Sequence, residues 1–464
     1  MQSTVIPGKV FTLGSLKERT MKNLYKSKWL QIAVGLTLIM AMLAACAPAP
    51  SAPVEAPPAA GATEAPAAGA PAEAKKLVVW GFIWTADWLD TLVEGFQAAH
   101  PGVTVEVNRF EYDPYQDMVV TTLASGEGIP DVVTLDPMWT GDIIRSGSLL
   151  PLDKASAELN VADFVPGGYN MYAWQGKQYG VPLDLDFKIM FYRKDVYDAA
   201  MATLGMTEFP TTTDDFLKLA QEVTKETGKP ALLIENDYYT WYTGFLAPMG
   251  GNLIDDAGTQ YVFNNDVAVQ SLQLYSDLAT KYKIAKVWNY DTDGDPILAA
   301  SSGDLGAIMN GSWFISDLSS GAPEMAGKWA IAPLPWGAAG RAYDAATGGA
   351  CLSIPTKAAE PDLAWEFMKY AMTPEAQVNY YKIVGGVPSL KTSWTDAAFD
   401  EVNPFLNVPL GRKVADWSLR AMPMQLPSVE VADLITEAIA KVTGGQATPK
   451  EALDEAVQLA PALK

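Results

Sequence analysis

Chemistry-bearing side chains in this sequence gather in a few short stretches, most of which set an aromatic ring beside a carboxylate or an amide. Trp313 follows Asn310-Gly311-Ser312; Tyr238, Tyr239 and Trp241 stand beside Asn236 and Asp237; Asp136 lies near Trp139, and Trp84 near Asp87. Rings stack on apolar faces and carboxylates accept hydrogen bonds from hydroxyls. Together they suit a small ring with an apolar face and a hydroxyl rim. Asp184 and Asp186 share one face of a strand, with Leu183, Leu185 and Phe187 on the other, so both acids can face one cleft. Gly348 and Gly349 have no side chain, which lets a crossing segment pass close to a ligand or to another stretch of backbone.

The same inventory excludes much. His100 is the only histidine, which removes Ser-His-Asp catalysis, multi-histidine metal sites and histidine pH switches. No G-x-S-x-G elbow, Walker phosphate loop or G-x-G-x-x-G fingerprint occurs. Asp291-Thr292-Asp293-Gly294-Asp295 begins like a calcium loop, but its glycine comes fourth rather than sixth and Ser302 stands at position twelve; it reads as an acidic turn. Cys351, inside the apolar run Ala350 to Ile354, reads as a buried structural thiol. Neither a metal nor a cofactor is expected. Asp184 and Asp186 could act as glycosidase carboxylates only with one pKa raised and both set across a bond, and a secreted carbohydrate-active enzyme stays as an alternative.

Charge narrows the partners. The 33 Lys and Arg face 54 Asp and Glu; the first 45 residues hold six of the cations and one of the anions, leaving 27 against 53. So acidic a body repels phosphate backbones and anionic lipid, which argues against nucleic-acid binding and against membrane binding through a basic patch.

Residues 1–45 carry an address. From Met21, a plausible true start, a basic stretch leads into an uncharged apolar run from Ile32 to Ala45, the layout of a secretory signal peptide. The run is shorter than the roughly 20 residues of a spanning helix unless Trp29 and Leu30 extend it, so a transmembrane anchor is the alternative. Leu43-Ala44-Ala45-Cys46 resembles the bacterial lipobox, in which cleavage leaves the cysteine sulfur to take a lipid. Residues 47–74 then hold 13 Ala and 7 Pro, a composition that buries no core and extends as a tether. Lipidation of Cys46 leaves Cys351 without a partner, so no disulfide framework is possible.

From Lys75 onward the pattern alternates. Leu77 to Trp80 reads as a strand; Trp88, Leu89, Leu92, Val93 and Phe96 recur at helical spacing; Val103, Val105 and Val107 alternate as in a strand; Tyr115 to Leu123 is helical again, and Asp131 to Leu135 is a strand. This grammar predicts a parallel α/β sheet with any ligand beyond the strand ends. It resumes after Pro210 with a helix over Phe216 to Val223 and a strand at Ala231 to Ile234. Thr448-Pro449-Lys450-Glu451 is a capping box opening a last helix.

Carried by Leu77-Val78-Val79-Trp80, Ile129-Pro130-Asp131-Val132-Val133, Ser146-Gly147-Ser148-Leu149-Leu150-Pro151-Leu152, Tyr179-Gly180-Val181-Pro182, Phe191-Tyr192-Arg193-Lys194-Asp195, Met309-Asn310-Gly311-Ser312-Trp313, Gly348-Gly349-Ala350, Ala364-Trp365-Glu366-Phe367 and Thr373-Pro374-Glu375-Ala376-Gln377, the chain resembles the family 1 extracellular solute-binding proteins. These are lipoproteins or periplasmic proteins that deliver sugars to ABC importers. The resemblance implies an α/β, two-lobe periplasmic-binding-protein fold with a hinge and an interlobe ligand cleft. Three crossings are expected near Asp184, Gly348 and Lys391, placing 75–183 with about 349–391 in one lobe and about 184–348 with 392–464 in the other. It further implies Trp313 as a stacking platform, Tyr238 as a ligand contact and an acid at the first hinge. The implied function is non-enzymatic: a monomer held to the membrane by lipid captures a mono- or oligosaccharide and presents it to the permease. The same fold with another solute, a polyamine or glycerol phosphate, remains an alternative.

Overall fold

The computed structural model describes residues 74–463 apart from 154, 338–343, 346 and 423; the leader, Cys46 and the tether up to residue 73 lie outside the described residues. The first alternation is β1 (Lys75–Phe82), α1 (Ile83–Ala99), β2 (Val103–Phe110), α2 (Tyr112–Ser125), β3 (Val132–Leu135) and α3 (Pro137–Arg145). β1 pairs in parallel with both β2 and β3. Leu77 and Val79 of β1 and Trp88, Leu89 and Phe96 of α1 are all fully buried, because the period-two and helical apolar rows meet face to face.

After β4 (Val181–Pro182) the chain leaves this sheet and builds a second one. Its elements are β5 (Lys188–Arg193), α4 (Thr213–Thr227), β6 (Leu232–Glu235), α5 (Tyr239–Leu246), α6 (Asp266–Thr280), β7 (Ala285–Trp288), β8 (Ala307–Gly311) and β9 (Trp329–Ala332). β10 (Cys351–Ser353) then returns to the first. The sheet orders are β2-β1-β3-β10-β4 and β9-β5-β8-β6-β7.

Alternation alone predicts parallel strands, and the arriving strands depart from it. β10 runs antiparallel to β3 and β4, and β5 runs antiparallel to β8 and β9. The reason is geometric: a strand that comes over from the other sheet enters at the carboxyl ends of its new neighbours and therefore runs against them. Both sheets thus turn their strand carboxyl ends toward the chain passes between them.

The C-terminal helices are shared out. α7 (Pro361–Ala371) and α8 (Pro374–Val384) pack on α1, where Trp88 Nε1 donates to the Ala376 carbonyl at 2.9 Å and its ring meets Tyr380 edge-on. α9 (Val429–Thr443) packs on α5 and α6, and α10 (Pro449–Leu459) on α9 and α6. The Thr448 capping box forms as the sequence predicts, with Glu451 Oε2 accepting from Thr448 N at 3.0 Å and Thr448 Oγ1 from Glu451 N at 3.3 Å. Cys351 is wholly buried in β10, and burial pushes its thiol up to about 12. No described helix is long and apolar enough to cross a membrane.

Trp88 ties the helix layer of the first sheet together through both a filled volume and a buried N–H. Trp88→Ala is expected to cost about 3–5 kcal/mol, measured as a lowered urea midpoint; an unchanged midpoint would show that α8 docks without it.

Candidate functional site

Five strand ends deliver the site. Trp84 lies two residues beyond β1, Tyr112 two beyond β2 and Asp136 one beyond β3, while Tyr238 follows β6 and Trp313 follows β8. All five line one cavity of about 890 Å³ between the sheets, whose lining also includes Asp184, Asp186, Lys188, Gly348 and Tyr380.

Rings supply its walls. Trp84, Tyr238 and Trp313 are 40 %, 37 % and 45 % exposed, unusual for large aromatics in a chain that buries most of them. Trp84 stacks on Tyr112 at 5.1 Å between centroids and 25° between planes. From the opposite side, the Tyr238 hydroxyl donates to Met138 Sδ at 3.0 Å, joining an element of the second sheet to α3 of the first. Trp241 also lines the cavity, with Lys188 Nζ 5.4 Å from its ring centroid. Gly311 ends β8 directly beneath Trp313, and a Cβ there would overlap the indole.

Acids lie at the floor. Asp136 caps α3 through Met138 N at 2.8 Å and accepts from the Tyr112 hydroxyl at 2.9 Å; burial outweighs both bonds and pushes its carboxyl up to about 7. Asp186 accepts from Ser312 Oγ at 2.5 Å. Burial raises its pKa, while Ser312 and the charge of Lys188 pull it back. Asp184 accepts from Ala350 N at 2.8 Å and from the Tyr380 hydroxyl; burial, then the neighbouring Asp186, holds its carboxyl well above the usual range. Lys188 donates to Thr347 Oγ1 at 3.0 Å. Among the described residues, no group of three or more His, Cys, Asp or Glu is placed to hold a metal ion.

The structure therefore gathers Trp84, Asp136, Asp184, Asp186, Tyr238, Trp241, Trp313, Gly348 and Gly349 around one cavity. Three other sequence candidates fall outside it. Helix α1 starts at Ile83 with no intervening loop, so Asp87 sits inside the helix on its solvent face, paired with Arg109 at 2.7 Å. Trp139 is one residue into the turn from Met138, and the helix rotates it into the core against Phe82, Tyr112 and Tyr115. Tyr239 opens α5 and is 1 % exposed, while Tyr238 before it takes the cleft. Conversely, Tyr112, Lys188 and Tyr380 were not anticipated. Tyr112 obeys the same strand-end rule as Trp84, and Lys188 continues the Asp184 and Asp186 row by two. Tyr380 carries no local signal, because its helix reaches the floor only through tertiary packing.

Residues 84–378 match the family model described as bacterial extracellular solute-binding protein. The chain belongs to that family, which consists of solute binders that work outside the cytoplasm. Among its relatives are an arabinooligosaccharide-binding protein of Bacillus subtilis, 24 % identical over 79 % of this chain and 87 % of that protein. Another is a lactose-binding protein of Rhizobium radiobacter, 26 % identical over 75 % of this chain and 82 % of that one. Among solved structures, the sugar-binding protein MalE from Xanthomonas citri superposes with a TM-score of 0.70 at 21 % identity, covering 83 % of this chain and 96 % of that one. That likeness establishes the two-lobe binding-protein fold, with one sheet at the heart of each lobe.

Asp136 gives this site a pH signature. Its folded pKa of about 7 lies above its ordinary 3.8, so between those values the folded chain holds a proton that the unfolded chain has released, and stability falls as pH rises through that window. Asp136→Asn keeps the helix cap and is expected to flatten the fall, standing on the order of a few kcal/mol above the parent at about pH 8. Urea titrations across that range that run parallel for the two proteins would contradict the assignment.

Proposed function

We propose that this protein captures a neutral oligosaccharide between its two lobes and presents it to an ABC permease, tethered outside the cytoplasmic membrane by a lipid on Cys46. The observation that carries the reading is the joint cavity, in whose lining exposed rings that follow strands of both sheets stand together with hydrogen-bonding acids. Such rings cover the apolar faces of pyranose or furanose units, and Asp186 accepts from the hydroxyl rim. The volume stands near the top of the roughly 300–1,000 Å³ range of small-molecule sites, which favours several rings over one. The relatives named above, one for arabinooligosaccharides and one for lactose, support the same class.

Carboxylates outnumber the two lysines, Lys188 and Lys382, in the lining, so a glycerol phosphate would meet repulsion. The reading is of a binder and not a glycosidase. Asp184 is committed to Ala350 N and Tyr380, which leaves the Asp184 and Asp186 pair without two free carboxyls to set across a bond. The protein acts as a monomer, with lobes divided near Asp184, Gly348 and Lys391. A ligand that touches both lobes favours the closed state, and the permease senses closure.

Calorimetric titration with a panel of neutral oligosaccharides tests this. One of them is expected to bind and to be recovered chemically intact, and Trp313→Ala is expected to weaken it by about 1–3 kcal/mol, the loss of one stacking contact. Cleavage of the saccharide would overturn the binder reading, and undiminished affinity in the variant would remove Trp313 from the site.

A further inference from the structure

We propose that Asp184 is a positioning residue: its carboxylate locks together the chain segments that run between the lobes and thereby sets how far the cleft opens.

Three segments meet at this residue. The stretch 183–187 leads from β4 of the first sheet to β5 of the second, 347–350 leads back into β10, and 385–390 carries the chain away from α8. Leu183 N donates to the Ala350 carbonyl at 2.8 Å and Asp186 N to the Gly348 carbonyl at 3.0 Å, zipping the first two segments. Ser389 N donates to the Leu183 carbonyl at 2.9 Å, and Asp184 bridges to Pro388, which adds the third. The side chain of Asp184 repeats this convergence. Its Oδ1 accepts from Ala350 N on the second segment, and Tyr380 bonds the same carboxylate from α8, five residues before the third.

Two glycines make room for it. Gly349 has φ +110°, and a Cβ there would stand 2.8 Å from the Asp184 carbonyl oxygen. A Cβ on Gly386 would overlap Asp184 Oδ2; its own φ lies outside the left-handed region, so alanine is tolerated by the backbone there. At 4 % exposure and with these bonds made within the chain, Asp184 is spent on the crossings, in contrast to Asp186, which is partly exposed to the cavity. Opening and closing must occur through these segments. A carboxylate that bonds one of them and packs against another limits the rotations available to them.

This inference rests on reading the cleft as a closing site, and its first measurement needs no saccharide. Spin labels at V120C on α2 and L298C on the helix Pro296–Ser302, both exposed positions, report the interlobe distance in the full chain carrying Cys46→Ala. In the ligand-free protein, Asp184→Ala and Gly386→Ala are each expected to broaden or shift that distance distribution. The double variant should match either single one, because the atoms that an added Cβ at Gly386 crowds most are those of the Asp184 carboxylate. Affinity for whichever saccharide binds should drop about tenfold in each, as the closure-competent fraction shrinks. A ligand-free distribution unchanged in both variants would overturn the proposal; combined with lost affinity, it would make Asp184 a direct ligand contact. Additive effects of the two substitutions would overturn it as well. Should Asp184→Ala fail to fold, Gly386→Ala decides the matter, with the same shift expected and an unmoved distribution contradicting it. An empty saccharide panel would count against the proposed function and leave the distance result standing.

Discussion

Backbone hydrogen bonding between residues 183–187 and 347–350 joins the two sheets where the chain passes between them. Each sheet buries its own apolar rows and could satisfy its own ladder, but the chain exchanges strands between them, and every exchange must carry paired amides and carbonyls through a buried zone. The antiparallel β5 and β10 are direct consequences of that exchange. So is the position of the cleft, because strands that leave one sheet at its carboxyl end and enter the other at the same kind of end force both sets of strand termini to face each other. Ligand chemistry is then a matter of which side chains follow those termini.

The floor of the cleft is dominated by acids taken out of water. Asp136, Asp184 and Asp186 are each raised in pKa first by burial and each bonded to chain donors, a costly arrangement in a protein that needs only stability. Under the proposed function it suits a binding surface, where acceptors held in place by Ser312 or Met138 N need not reorganise when a hydroxyl arrives. Trp84, Tyr238 and Trp313 expose their rings to the same cavity, and under the proposed function they supply the area that the ligand covers.

Much of this was legible in the sequence, for identifiable reasons. Helical and period-two apolar rows located β1 to α2 and the strand at β6, and the Thr448 box located α10, because burial and capping are local demands. The strand-end rule placed Trp84 and Asp136 at the cavity and would have placed Tyr112 there had it been applied beyond β2, while Tyr238 came from the family resemblance. Misses came where one residue of helical phase decides the outcome. Asp87, Trp139 and Tyr239 each stand beside the right place, yet the helix starts at Ile83, Pro137 and Tyr239 turn them toward solvent or core. Tyr380 and Gly386 were invisible, since nothing near them in sequence reports the Asp184 carboxylate that they surround.

The central claim is that the cleft binds a neutral saccharide in the folded state. A thermal-shift comparison of this protein with neutral oligosaccharides, polyamines and glycerol phosphate tests it most directly, because a ligand selective for the native state must raise the melting temperature. The account predicts a concentration-dependent rise with an oligosaccharide and none with the charged solutes. A rise with a polyamine or with glycerol phosphate, and none with any saccharide, would contradict it.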